Sequence, residues 1–149
     1  MNEINNYQKY ENYKEQTTRL KKAIELNFYL EAIFIEYAII EDRFESALRH
    51  SNIINKEKHL TLNSKLNKME SIAMEKKHPA HTLFTTELIE NVRLWKEERN
   101  RLIHALMKQL LTTEELKSLA VHGHALVKKL CSITTIYSRK MDKLNLYNM

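Results

Sequence analysis

Apolar residues recur at intervals of three and four along most of this chain. The longest such stripe, Leu30, Ile33, Tyr37, Ile40, Phe44 and Ala47, predicts one long helix from Thr17 or Thr18 to about Ser51. Ile24, Phe28, Phe34, Ile35, Ala38 and Ile39 widen its apolar face, so the helix should be central and contacted from more than one side. Glu36, Glu41, Asp42 and Arg43 interrupt it and read as a solvated back face laced with ion pairs. A polar turn over Asn52–His59 separates it from a shorter helix marked by Leu62, Leu66, Met69 and Ile72, which Lys76-Lys77-His78-Pro79 ends. A third helix should run from about His81 to Gln109 on Leu88, Val92, Trp95, Leu102 and Leu106. Thr112 or Thr113 then caps a fourth, with Glu114 and Glu115 in its first turn, running through Leu119, Gly123, Leu126, Leu130, Ile133 and Tyr137 to about Leu144. Residues 1–14 lack a convincing apolar face and read as a loosely packed arm or a short helix laid on the body.

The pattern therefore predicts an all-α chain: a four-helix up-and-down bundle, with room for a short extra N-terminal helix, in a single domain over 1–149. One glycine and one proline in 149 residues argue against a turn-rich β architecture. Gly123 is expected to permit a close helix crossing, and Cys131 to be a small filler that excludes an internal disulfide. The 24 lysines and arginines against 19 acidic residues leave a formal charge of +5, which favours an anionic partner. The start of the chain lacks the pattern of a secretory leader, and the most apolar run, Ile33–Ile40, is interrupted by Glu36 and too short to cross a bilayer. The expectation is a cytoplasmic protein with no membrane association.

Chemistry is to be sought where polar groups enter an apolar stripe. Arg99 stands four residues after Trp95 and three before Leu102, in the register of an expected core residue. His104 lies five residues further on, about 140° around the helix and roughly 7.5 Å along it, with Glu97 and Asn100 on its own side. One helix does not close a site around these groups, so a second surface must supply the other wall. If the helices pack as the stripes predict, one carboxylate, Glu41 or Asp42, would orient Arg99, although neither is counted as a catalytic residue. His122, His124 and Cys131 do not make a metal site, since histidines two apart point to different sides of a helix. Tyr7, Tyr10 and Tyr13, three apart, fit a docked helix better than a base-stacking platform.

The run Arg99-Asn100-Arg101-Leu102-Ile103-His104 resembles the R-N-x-x-x-H signature of HEPN domains, the small all-helical higher-eukaryote and prokaryote nucleotide-binding family. The likeness of helical pattern extends over roughly residues 20–142, and only these six positions are specific. The resemblance implies Arg99 and His104 as catalytic residues in a cleft between two copies of the chain, with Asn100 supporting them. It also implies metal-independent cleavage of RNA and no cofactor. Arg101 falls at a variable position, and its substrate-binding role rests on charge and proximity. In such a site His104 would move the proton of the 2′-hydroxyl or of the departing oxygen, and Arg99 would stabilise the charge gathering on phosphorus. Family members include toxins of defence and toxin–antitoxin systems, so an antitoxin or a nucleotidyltransferase is an expected partner. The alternative is a non-catalytic helical dimer that binds RNA or nucleotides or pairs with a nucleotidyltransferase.

Overall fold

The computed structural model describes residues 5–53, 59–108 and 111–147, and every regular element among them is helical. The helices are α1 (Asn6–Glu25), α2 (Tyr29–His50), α3 (Leu62–Ala73), α4 (Ala80–Leu83), α5 (Thr86–Ala105) and α6 (Thr113–Tyr147). Residues 54–58 of the expected turn lie outside the described residues, as does Gln109 at the expected end of the third helix.

The helix expected from Thr17 to Ser51 is two helices. Asn27 adopts a left-handed backbone with φ 64°. Behind it the Phe28 N–H donates to the Ala23 carbonyl at 2.8 Å and the Asn27 N–H to Ile24 at 3.2 Å, the paired bonds of a Schellman motif. Asparagine tolerates this conformation better than other residues with a Cβ, so it does here what glycine does elsewhere. The device recurs at the end of α2, where Asn52 has φ 58° and the Ile53 N–H reaches the Leu48 carbonyl.

Of the two forms expected of the arm, the described residues take the second, a helix laid on the body, continuous with α1. α1 begins at Asn6 under a capping box, Asn5 Oδ1 accepting from the Gln8 N–H at 2.8 Å while Gln8 Oε1 accepts from the Asn5 N–H at 3.0 Å. Tyr13 then docks α1 on α2. Its hydroxyl donates to Asp42, Arg43 Nε donates to it at 2.8 Å, and Lys9 Nζ stands 3.3 Å from the same carboxylate. Burial pushes the Asp42 carboxyl up, but the hydrogen bonds from Tyr13 and Arg43 and the nearby cations hold it below its ordinary value. Asp42 and Arg43 thus bind α1 to α2 rather than forming a solvated back face. Tyr7 and Tyr10 are exposed.

α2 and α6 form the main contact of the fold, with α1 and α3 beside α2 and with α5 against α6 and α3. At one end of the core Phe84 packs between Phe44 and Tyr137, whose hydroxyl bonds Ser51. Trp95, from the middle of α5, is buried in the same core, and its indole Nε1 donates to the Leu119 carbonyl at 3.0 Å. The expected third helix is divided too: Phe84 and Thr85 separate α4 from α5, and the Thr85 hydroxyl caps α5 by accepting from the Leu88 N–H. α6 starts as expected, with Thr112 and Glu115 exchanging side-chain and backbone bonds.

Gly123 is the residue that lets these helices close. A methyl group there would overlap the Glu36 carboxyl and stand 2.8 Å from Trp95 Nε1. Glu36 itself is completely buried, contrary to its expected place on a solvated face, because α6 can come this near. Gly123→Ala gains about 1 kcal/mol of helix propensity but must displace an enclosed carboxyl and a fixed indole, at a cost of about 1–3 kcal/mol. The expected net effect is a loss of stability of about 1 kcal/mol in urea unfolding, and a smaller loss when Glu36→Ala has first cleared the space.

Candidate functional site

The four residues singled out in the motif, Arg99, Asn100, Arg101 and His104, all lie on α5, and the structure gives each a different environment. Arg99 is half-buried. Its guanidinium carbon lies 4.2 Å from the centre of the Tyr37 ring, and Tyr37 in turn stacks on Trp95 with centroids 6.4 Å apart and planes inclined by 29°. One helical turn separates Trp95 from Arg99, so a single aromatic ring of α2 supports both. A cation over a ring face keeps its charge while shedding part of its hydration, which suits an arginine that cannot lose its proton.

Asn100 completes the local arrangement by accepting from Arg99 Nη1 at 3.0 Å. Arg99 Nε is enclosed and has no hydrogen-bond partner. Among the described residues no carboxylate lies within ion-pair distance of Arg99. Glu41 is 3.8 Å from Lys65 and Asp42 is held by Tyr13 and Arg43, so neither performs the orienting role expected of it. Burial raises the Tyr37 phenol above its ordinary value, and the Glu41 charge adds to this while Arg99 opposes it. Tyr37 therefore stays a neutral platform at physiological pH.

Arg101 and His104 stand apart from that stack. Arg101 is exposed and grips Glu98 with two bonds, Nε to Oε2 at 3.1 Å and Nη2 to Oε1 at 2.6 Å, with Glu115 at 3.9 Å. Those bonds hold the Glu98 carboxyl below its ordinary range. A phosphate reaching Arg101 must displace Glu98, although an exposed pair of this kind is weak. His104 is exposed in the last turn of α5 and makes no hydrogen bond within the described residues. Close to it in the chain, Ile103, Leu106 and Met107 are exposed as well, Met107 to 92%. The structure thus brings Arg99 and Asn100 together and leaves His104 on another side of the same helix. Their separation is the one that helical spacing gives, and among the described residues no second helix joins them.

Sequence reasoning missed Tyr37 as the partner of Arg99 because it counted Tyr37 among the core apolar residues. An apolar-register arginine needs an aromatic or acidic residue opposite, and that requirement was the available signal. Elsewhere, His124 is half-buried and held below its ordinary pKa by burial and by the charges of Lys128 and Lys21. Among the described residues no group of three or more His, Cys, Asp or Glu side chains is placed to hold a metal ion. No helix among them is long and apolar enough to cross a membrane. Comparison with family models, curated proteins and solved structures gives no match for this chain.

The cation–π contact is measurable by a double-mutant cycle between Tyr37→Leu and Arg99→Ala. A coupling of about 0.5–2 kcal/mol is expected, with Tyr37→Phe close to wild type because the ring face, and not the hydroxyl, carries the contact. A coupling near zero in urea unfolding would mean that Arg99 is held by its stem alone.

Proposed function

We propose that this chain is a metal-independent endoribonuclease of the HEPN type, acting as a two-fold homodimer in the cytoplasm. In this reading α2, α3, α5 and α6 make an up-and-down four-helix bundle on which α1 is added. The observation that carries the proposal is Arg99, a half-buried cation stacked on Tyr37, bonded to Asn100, and without a carboxylate partner among the described residues. A guanidinium held in place with its charge uncompensated attracts phosphate, and its flat edge matches two phosphate oxygens.

RNA supplies its own nucleophile. His104 takes the 2′-hydroxyl proton, the 2′-oxygen attacks the adjacent phosphorus, and the bond to the 5′-oxygen breaks. A proton returned to that oxygen gives a 5′-hydroxyl product beside a 2′,3′-cyclic phosphate. Arg99 stabilises the additional negative charge as the attack proceeds, and Asn100 fixes the guanidinium plane. Because His104 faces away from Arg99 on one helix, the reading requires the histidine of one copy to meet the arginine of another. Arg101 binds a neighbouring phosphate after releasing Glu98. A toxin of a defence or toxin–antitoxin system, with an antitoxin or a nucleotidyltransferase as partner, is the setting that fits such an activity.

Purified protein incubated with single-stranded RNA in excess EDTA should give fragments ending in cyclic phosphate. His104→Ala and Arg99→Lys should each reduce the rate by about 10²–10⁴-fold with helicity unchanged. Light scattering at micromolar concentration should show a dimer. RNA binding without turnover would replace the enzyme with the alternative, a helical dimer that binds RNA or nucleotides or pairs with a nucleotidyltransferase. A monomer would remove the composite site.

A further inference from the structure

Three polar or charged side chains are buried in the described core: Glu36, Lys65 and Thr134. Two of them are satisfied. Lys65 lies 3.8 Å from both Glu41 and Glu45, and the Thr134 hydroxyl donates to the Leu130 carbonyl at 2.7 Å. Glu36 differs, since it is 0% exposed and neither of its carboxyl oxygens has a hydrogen-bond partner.

Its surroundings explain why it is neutral. The carboxyl lies against the bare backbone at Gly123 of α6, beside the indole of Trp95 on α5, and that indole N–H is already committed to the Leu119 carbonyl. The charged groups near the junction are engaged elsewhere. On α5, Arg99 lies on Tyr37 and bonds Asn100; on α6, His122 is exposed and His124 stands near Lys21 and Lys128. On α2 itself Glu41 is near Lys65, and Asp42 pairs with Arg43. Burial is the sole cause that raises the Glu36 carboxyl from 4.5 to about 9.

We propose that the α2–α5–α6 junction is a proton-held latch: neutral Glu36 lets α6 seat on α2 and α5, and in alkaline solution ionisation of that carboxyl draws it toward water. Its departure parts Gly123 from Trp95 and frees the stretch of α5 one turn before Arg99. An ionised carboxylate cannot remain where no donor and no water reaches it. The neutral acid can, at the cost of its unmade hydrogen bonds. The latch depends on no RNA chemistry and stands or falls apart from the nuclease reading.

The direction of the pH effect follows from linkage. The folded chain holds a proton at Glu36 that the unfolded chain releases near pH 4.5, so the stability due to neutral Glu36 is full below that pH and is lost as pH rises toward about 9. Within that window one proton makes the unfolding equilibrium constant rise about tenfold per pH unit.

Trp95 is the only tryptophan in the chain and reports on the junction directly. Fluorescence of the full chain should show a one-proton transition centred near pH 9, with emission moving to longer wavelength as the indole meets water. In Glu36→Gln, which keeps the shape without the charge, the transition should disappear. The unfolding constant from urea titrations should rise about tenfold per pH unit faster in wild type than in Glu36→Gln between pH 6 and 8. Should Glu36→Gln fold poorly, Glu36→Met supplies an uncharged side chain of similar length for the same comparison. Coincident fluorescence and stability profiles for wild type and the uncharged variant would overturn the latch. So would a stability slope unaccompanied by any change at Trp95, because the buried acid would then act without opening the junction.

Discussion

How closely α6 approaches α2 and α5 at Gly123 is the constraint from which the rest of the arrangement follows. With no side chain at that position, the Glu36 carboxyl and the Trp95 indole both reach the backbone of α6. The carbonyl that accepts from Trp95 belongs to Leu119, four residues before Gly123, and in an α-helix it also accepts from the Gly123 N–H. The indole thus shares an acceptor with the helix ladder and fixes the rotation of α5 about its axis. That rotation decides which face the next turn presents. Arg99 falls against Tyr37 because Trp95, four residues earlier, is already bonded.

Two polar side chains sit near this crossing, and they are accommodated in opposite ways. Arginine cannot discharge at any ordinary pH, so Arg99 remains half-buried on an aromatic face with Asn100 at its edge. A carboxyl can discharge, and Glu36 occupies a position with no hydrogen-bond donor or counter-ion among the described residues. Exchanging the two residues would leave an arginine stranded where Glu36 lies. Burial therefore selects between them by whether the charge can be given up.

Helical periodicity made the class of fold legible, because apolar spacing of three and four survives local interruptions. The breaks were harder to read. Asn27 lies inside an uninterrupted apolar pattern, and only its backbone conformation shows that the stripe passes from one helix to another. For residues 1–14 the choice between a loose arm and a helix laid on the body stayed open for a related reason: the anchor that decides it, Tyr13 with Asp42 and Arg43, is a polar set that hydrophobic counting leaves out. Glu36 shows the limit most clearly. Its position in the sequence is compatible with either face of α2, and the deciding fact is a glycine 87 positions later. Arg99 was legible as an anomaly of register, but its partner required knowing which helix packs opposite.

The six-residue motif makes a geometric demand that its environment sharpens. Five residues of helix carry His104 about 140° away from Arg99, and no rotation of α5 about its axis changes that angle, because both residues turn with it. Lengthening the reach of one side chain does not close such an angle, since the helix itself stands between them. In the proposed cleft a phosphate touched by both the arginine and the histidine of this motif would meet them on different copies of α5. At the end of α5, Ile103, Leu106 and Met107 are exposed beside His104 in the chain. Apolar exposure there and an uncompensated cation further along the helix are separate features of one element. The proposed cleft would draw on both: the first as contact area between copies, and the second as the charge that receives a phosphate.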